Sequence, residues 1–338
     1  MEAGIETIIN PDLPIVDSHH HLWSASHHLF VDGKGHGYDE ENFAADLAAG
    51  HNVAQTVFVE CEANYREDGP EYLRPVGEAE FVRGVAERAV KAGRPGVAAG
   101  FVGFVELRLG REKLDEALGA MTDASGGRLR GIRQSARWQA EDLFAMPSGK
   151  NPRHLLLDPA FREGVRVLGD HNLSYDAWQV YEQLPELIGL VRECGDTQIV
   201  VNHIGGLIGT GSWASRLAEV EAEWKASMRE LATFPNVAVK IGGLGMPYMG
   251  YGLEKLPKPV SSETLAAAWR PRVEWVIETF GEDRCMFESN FPVDRSSCSY
   301  VALWNAFKLI AANYSEDAQS ALFAGTAQRI YRLPPMAA

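Results

Sequence analysis

Two histidines, two residues apart, follow a short apolar segment near the start of the chain. The stretch 13–23 reads Leu-Pro-Ile-Val-Asp-Ser-His-His-His-Leu-Trp, which predicts a buried strand that ends in polar residues. Side chains alternate along a strand, so we expect His19 and His21 on one face and His20 on the other. Two imidazoles side by side can bind a divalent metal or stabilise an oxyanion. A hydrogen-bonded surface cluster is the alternative.

Composition and charge limit the partners of the protein. The chain has 338 residues, of which 46% are hydrophobic, and its net charge is −14. The negative charge argues against nucleic acid or an anionic membrane as partner. No apolar run approaches the roughly 20 residues of a membrane span. An anionic small substrate remains open, because a few local arginines can bind it.

The cysteines and the first residues predict where the protein works. Four scattered cysteines without a Cys-x-x-Cys motif fit reduced thiols: Cys61, Cys194, Cys285 and Cys298. The acidic segment 1–14 lacks the basic and apolar regions of a signal peptide. We therefore expect a cytoplasmic protein.

Strand and helix patterns alternate eight times along the chain. After the histidine stretch, apolar strands are predicted at 54–60, 97–105, 129–134, 172–178, 197–203, 237–241 and 284–290. Continuous apolar strands separated by helices favour a closed parallel sheet. We predict an α/β fold, a single (β/α)8 TIM barrel over 1–338 with inserted βα loops. An open doubly wound sheet would need a glycine-rich phosphate loop after an early strand, and the first strand ends in histidines instead.

The carboxyl ends of barrel strands meet at one mouth, where the active sites of such barrels lie. Three inserted loops, 62–77, 138–154 and 242–259, are expected to cover it. His27 or His28 could reach it from the first loop. The strand ends bring these candidates to the mouth: His19, His21, Glu60, Arg133, Asp176, Trp178, His203, Lys240, Glu288 and Asn290.

Three motifs resemble the amidohydrolase superfamily. They are Ile-Val-Asp-Ser-His-His-His-Leu-Trp at 15–23, Val-Asn-His-Ile-Gly-Gly at 201–206 and Met-Phe-Glu-Ser-Asn-Phe-Pro-Val-Asp at 286–294. Their order and spacing are similar to those of the amidohydrolase-2 branch over residues 13–332. That branch includes sugar lactonases, pyrone-dicarboxylate lactonase and metal-dependent decarboxylases.

The resemblance assigns roles to individual residues. It makes His19 and His21 the strand-one pair and His203 the strand-six histidine. The family usually carries Ser-Asp-Trp-Pro on strand eight, and here Asn290 stands where that aspartate is expected. An amide cannot take a proton from water. Asn290 therefore binds substrate or positions water, or the base is a nearby carboxylate, Asp294 or Glu288, of which we favour Asp294.

The resemblance also bears on a cofactor. The strand-four lysine or glutamate of relatives with two metals is missing, which argues against a binuclear centre. One zinc or manganese ion held by His19, His21 and His203, with Asp176 or Asp294, is one interpretation. A metal-free site, as in pyrone-dicarboxylate lactonase, is the other. There the histidines would polarise a carbonyl as hydrogen-bond donors.

Other side chains are candidates for binding the substrate. Arg133 and Lys240 could hold a carboxylate, although an internal salt bridge is an equal alternative for each. Trp23, Trp178 and Tyr248 could form the wall around a ring, although packing in the core is the more common role of such aromatics.

These features together predict a hydrolase that opens a lactone or related carboxylic ester ring. His21 and His203, or a metal that they hold, would stabilise the oxyanion while a carboxylate accepts the proton of water. The alternatives are a metal-dependent decarboxylase of an aromatic or unsaturated acid and a non-catalytic ligand-binding relative. The expected partner is a small ring or carboxylate substrate, with neither nucleic acid nor membrane, in a chain that could form a homo-oligomer.

Overall fold

Eight parallel strands form one sheet whose spatial order follows the chain order. The computed structural model describes residues 6–24, 37–143 and 151–336. The strands are β1 (Ile15–His20), β2 (Val53–Val59), β3 (Gly100–Gly103), β4 (Leu129–Ile132), β5 (Ser174–Ala177), β6 (Ile199–Val201), β7 (Val237–Ile241) and β8 (Cys285–Phe287).

Helices alternate with the strands and surround the sheet. They are α1 (Glu40–Leu47), α2 (Val76–Lys91), α3 (Arg111–Ala124), α4 (Pro159–Asp170), α5 (Leu184–Glu193), α6 (Leu217–Leu231), α7 (Ser262–Phe280), α8 (Tyr300–Ala311), α9 (Glu316–Ser320) and α10 (Thr326–Ile330). A π-helical turn, Ala321–Gly325, joins the last two. None of the described helices is both long and apolar enough to span a membrane.

The sheet closes on itself through the residues that follow β8. His20 and Phe291 form a parallel bridge, Asn290 N–H donates to the His19 carbonyl at 2.9 Å, and His21 N–H donates to the Phe291 carbonyl at 2.8 Å. The predicted (β/α)8 TIM barrel is therefore confirmed. Closure places the end of β8 directly beside the histidines of β1.

Inward and outward residues of the strands pack in separate clusters. The inner cluster consists mainly of small, branched side chains, which suit the narrow interior of an eight-stranded barrel; its strand members are Val16, Val57, Val59, Val102, Val200, Ala238 and Met286. The outer cluster joins the strands to the helices. This division follows from the side-chain alternation of buried strands.

The C-terminal helix closes the amino-terminal end of the barrel. Ala324, Ala327, Ile330 and Tyr331 pack against the inner cluster. Tyr331 is fully buried, and its hydroxyl lies 2.6 Å from Oδ2 of Asp176 on β5. The interior is thus filled at the amino-terminal end of the barrel. The carboxyl ends of the strands, on the opposite side, remain as the place for a site.

Candidate active site

His19 and His21 lie side by side at the carboxyl end of β1. Their Nε2 atoms are 3.1 Å apart. His20 points to the other side of the strand, where its ring stacks on Phe43 with centroids 4.2 Å apart and its Nε2 lies 2.9 Å from the Thr56 hydroxyl. The alternation predicted from the sequence is confirmed, so two of these three histidines belong to the site.

Glu288, the residue after β8, places its carboxylate between two histidines. Its Oε1 accepts a hydrogen bond from Nδ1 of His203 at 2.6 Å, and its Oε2 lies 2.7 Å from Nδ1 of His19. All three side chains are buried. Among the described residues, Glu288 is therefore the carboxylate that contacts the predicted histidines.

Two glycines after β7 leave the space that this cluster needs. A Cβ at Gly242 would lie 2.2 Å from Cγ of Glu288, and a Cβ at Gly243 would lie 2.7 Å from Nδ1 of His203. Gly243 also has a φ of +64°, which side chains rarely adopt. Sequence reasoning missed both residues. Their signal was a Gly-Gly pair directly after an apolar strand.

One proton on His19 cannot satisfy its contacts with Glu288 and His21 together. Nδ1 of His21 donates to the Val59 carbonyl at 2.7 Å, so Nε2 of His21 carries a lone pair. A proton on Nε2 of His19 leaves a lone pair facing Glu288, and a proton on Nδ1 leaves two nitrogen lone pairs facing each other. Burial, and then the charge of Lys240, lower the pKa of His19 well below its usual range, which disfavours a proton on both nitrogens. A bound cation would remove this conflict.

The donor atoms of His19, His203 and Glu288 fit such a cation. Their ligand atoms all lie within 4.8 Å of one another. Nδ1 of His19 and Oε2 of Glu288 are close but not aligned as a hydrogen bond, and neither buried atom has another partner among the described residues. Two imidazoles and a carboxylate suit a single divalent metal. Glu288 takes the place that the sequence-based metal set gives to His21.

His21 is restricted in what it can donate. Burial, and then the charge of Arg133, lower its pKa well below the usual range, so the ring is neutral near pH 7. Its one proton is used by the Val59 carbonyl. In this state Nε2 of His21 accepts rather than donates, which does not support its predicted role as an oxyanion donor.

Arg133 lies beside His19 at the end of β4. Its Nε donates to Oε1 of Glu60 at 2.7 Å and its Nη2 to the Glu60 carbonyl at 2.5 Å. Nη1 lies 3.3 Å from Nε2 of His19. The predicted salt bridge and the predicted place at the mouth are both present, so Arg133 supplies a positive charge next to the histidines.

Lys240 is held inside the barrel by Asp176. The two groups are 2.9 Å apart and their side chains are fully buried. Asp176 also accepts hydrogen bonds from Tyr331 and, at 2.8 Å, from the Ser174 hydroxyl. The internal salt bridge is thus the alternative that the structure realises. This arrangement does not support the predicted contact of Lys240 with a substrate carboxylate. It also does not support Asp176 as a metal ligand, because that carboxylate is bonded to Lys240 and Tyr331.

The side chains of Asn290 and Asp294 bond to each other rather than to the imidazole rings. Asn290 has a φ of +53°, and its Nδ2 donates to Oδ1 of Asp294 at 2.7 Å. The backbone N–H of Gly245 donates to Oδ2 of Asp294 at 2.8 Å. Burial raises the pKa of Asp294 to about 8. Asp294 therefore positions Asn290 and the loop after β7, and its predicted role as the base remains a prediction.

The two predicted tryptophans border the histidines. Trp23 stacks on His21 with ring centroids 5.9 Å apart, and Trp178 meets His203 edge to face at 4.9 Å. Both are largely buried. They are placed to form the wall of the site. His27 and His28, and residues 144–150 of the predicted loop 138–154, lie outside the described residues.

The fold and the cluster of His19, His203 and Glu288 define a class of barrel enzymes whose chemical groups stand on the strand ends. A family model described as amidohydrolase matches residues 16–333. The chain belongs to this family and is an amidohydrolase-superfamily enzyme.

Similar proteins agree with this assignment. An uncharacterised protein of Sinorhizobium fredii, y4mH, is 33% identical, covering 95% of this chain and 99% of its own length. An L-fucono-1,5-lactonase of Burkholderia multivorans is 28% identical, covering 78% and 86%. A crystal structure of a Burkholderia multivorans amidohydrolase with bound zinc has a TM-score of 0.72 and 24% identity, covering 95% and 99%.

Proposed function

We propose that this protein opens a lactone or related carboxylic ester ring by attack of water on the carbonyl. The observation that carries the proposal is the Glu288 carboxylate, bonded to His203 and adjacent to His19 at the barrel mouth. The similarity to an L-fucono-1,5-lactonase supports the same reaction.

The pair of Glu288 and His203 accepts the proton of the attacking water. The hydrogen bond from Nδ1 of His203 to Glu288 orients the ring and leaves Nε2 to accept the proton. A carboxylate bonded to an imidazole in this way is a recurrent means of activating a hydroxyl or water. Because both groups are buried, the proton transfer is shielded from bulk solvent.

Arg133 stabilises the negative charge that forms on the carbonyl oxygen. Its Nη1 is the cationic donor beside His19, and Glu60 fixes the guanidinium by two contacts. A preorganised cationic donor in a buried site lowers the energy of a tetrahedral oxyanion. When a divalent metal such as zinc or manganese is bound, His19, His203 and Glu288 would hold it and it would polarise the same carbonyl as a Lewis acid; His203 would then serve as a ligand instead of as the proton acceptor.

The direction of the pH change tests this reaction against decarboxylation. Opening a lactone releases a proton, whereas loss of a carboxylate as CO2 consumes one. We expect proton release, followed with an indicator dye, when the protein is mixed with five- and six-membered lactones that include L-fucono-1,5-lactone. The variant Glu288→Gln keeps the size of the side chain but should lose this activity.

Two results would contradict the proposal. Proton uptake with an aromatic or unsaturated acid, without turnover of any lactone, would assign the protein to the decarboxylases. Binding of ring acids without turnover of either class would make it a ligand-binding relative.

A further inference from the structure

The buried guanidinium of Arg137, in the loop after β4, has no carboxylate partner among the described residues. Arg137 is 5% exposed, and its Nη1 donates to Oε1 of Gln139 at 2.8 Å. Within the described ranges it forms no ion pair, whereas the similarly buried Arg133 is paired with Glu60. Burial lowers the pKa of Arg137. Because burying an unpaired charge is energetically costly, this arrangement favours binding of an anionic ligand.

The backbone on both sides of Arg137 is held by one side chain. Nε2 of Gln183 donates to the Ala136 carbonyl at 2.6 Å, and Oε1 of Gln183 accepts from the N–H of Trp138 at 2.9 Å. Ala136 N–H also donates to the Trp178 carbonyl at 2.9 Å. Arg137 is thus anchored beside the end of β5, and its position does not depend on a ligand.

Tyr248 packs against Trp178, whose carbonyl accepts the hydrogen bond from Ala136 next to Arg137. Tyr248 is buried, and its hydroxyl has no hydrogen-bond partner among the described residues. Its ring packs 6.2 Å from that of Trp178, which in turn contacts His203. Burial raises the pKa of Tyr248, the charge of Arg137 opposes the rise, and Asp294 and Glu288 add to it. Trp178 therefore connects Tyr248 with His203, and with the backbone next to Arg137.

We propose that Arg137 and Tyr248 form a subsite for a carboxylate that the substrate carries in addition to the carbonyl under attack. The proposal rests on the ring-opening function above and narrows its substrate class to lactones with an anionic substituent. Nη1 of Arg137 is engaged by Gln139, so Nε and Nη2 bind the carboxylate. Tyr248 donates its hydroxyl proton to the same group, which satisfies the partnerless oxygen.

Calorimetric binding of two matched probes tests the subsite. The probes are paraconate, a five-membered lactone with a ring carboxylate, and its neutral primary amide. Wild-type protein should bind paraconate about tenfold or more tightly than the amide, as expected for charge-assisted hydrogen bonds. Arg137→Met and Tyr248→Phe should each weaken paraconate binding by about tenfold, and Arg137→Met should abolish the preference for the acid.

Two control variants distinguish loss of the Arg137 charge from a general effect of replacing an arginine. Arg137→Lys keeps the charge and should restore part of the preference, and Arg83→Met changes an exposed arginine that pairs with Glu87 and should alter nothing. Equal binding of acid and amide by wild type, no detectable binding of paraconate, or a preference that persists in Arg137→Met would overturn the subsite.

Proton release measured with the same probes distinguishes the two proposals. Preferential, Arg137-dependent binding of paraconate without hydrolysis of either probe or any other lactone would support the subsite while contradicting the ring-opening function. Hydrolysis of both probes at equal kcat/KM would support that function and reject the subsite.

Discussion

Glu288 determines what the histidines of the site can do. It accepts a hydrogen bond from Nδ1 of His203, which leaves Nε2 of that ring as the free nitrogen. By lying against Nδ1 of His19 without a hydrogen bond, it leaves a pair of acceptor atoms that a cation can bridge. One carboxylate therefore prepares His203 for proton transfer in the metal-free site and supplies a ligand when a cation is bound.

Replacing His203 by alanine tests the proton-accepting pair. His203→Ala should lower kcat by about 100-fold or more, because it removes the ring through which Glu288 acts. The circular dichroism spectrum should remain that of the wild type, and kcat is measured by proton release with the best lactone.

The control for this change is His171→Ala. His171 also pairs with a carboxylate, Asp115 at 2.7 Å, but lies on the surface at the end of α4. It should leave kcat unchanged. An unchanged kcat in His203→Ala as well would show that another group accepts the proton.

At the scale of elements, β1 carries one histidine that is held neutral by its surroundings. His20 is buried, its Nε2 contacts the Thr56 hydroxyl, and that hydroxyl oxygen accepts from Ala98 N–H at 2.8 Å. The direction of the hydrogen bond between Thr56 and Nε2 depends on the tautomer of the ring. Nδ1 of His20 has no partner among the described residues, so a protonated ring would leave a buried charge unsolvated. Burial lowers the pKa of His20 to about 3.

Acid should destabilise the protein partly through His20. The unfolded chain takes up a proton below its ordinary pKa of 6.5, and the folded chain does not until about 3, so the stabilisation from neutral His20 is lost as the pH falls through this window. His20→Gln keeps a hydrogen-bonding group for Thr56, as donor or acceptor, and cannot titrate. Between about pH 7.5 and pH 5, its free energy of unfolding should fall by about 2 kcal/mol less than that of the wild type.

Urea unfolding at the two pH values measures this difference. Parallel losses of stability in wild type and His20→Gln would mean that the folded protein can protonate His20 without cost.

The two glycines after β7, Gly242 and Gly243, leave space for the side chains of Glu288 and His203. Gly242→Ala would place a methyl group 2.2 Å from Cγ of Glu288 and 2.6 Å from its carbonyl oxygen. We expect a loss of about 1–3 kcal/mol in the free energy of unfolding. We also expect a fall in kcat, because the carboxylate must move.

Gly119→Ala is the matched control, since a Cβ at this helical glycine meets nothing within 4 Å. It should leave kcat unchanged and increase stability by about 0.5–1 kcal/mol. A Gly242→Ala variant with wild-type kcat would show that the position of Glu288 is not critical.

At the scale of the whole molecule, the closed barrel separates the histidine cluster at the carboxyl end from the side chains that fill the interior. The amino-terminal side of the interior is filled by Tyr331, Asp176 and Lys240. The histidine cluster lies at the opposite, carboxyl end of the strands. Burial, and then the charge of Lys240, lower the pKa of His19. The barrel filling thus favours neutral imidazole, the form that binds a metal.

Metal content is the corresponding prediction. Protein purified without chelator or nickel affinity resin should contain about one equivalent of zinc or manganese per chain, measured by elemental mass spectrometry. His19→Ala and Glu288→Ala should each lose it, because each removes a member of the three-residue group. His171→Ala should retain it.

The prediction would be contradicted if protein from cells grown with added zinc and manganese contained no metal and was still fully active. Arg133 would then be the cationic group that stabilises the oxyanion.

The amino-acid sequence by itself determined the barrel and the elements that carry the site. Eight apolar strands alternating with helices permit few arrangements other than a closed parallel sheet, and the two-residue period of β1 already separated His20 from His19 and His21. These properties are local, so they can be read from neighbouring residues.

Only the tertiary structure decided which side chains pair. Glu288 and His203 are 85 residues apart in the chain, and Lys240 and Asp176 are 64 apart. Such pairs depend on strand register and on closure between β8 and β1, which bring several carboxylates to equivalent strand ends. Sequence parity could not choose between Glu288 and Asp294, because the chain leaves the strand after β8, and the direction of Asp294 is set by its contacts with Asn290 and Gly245.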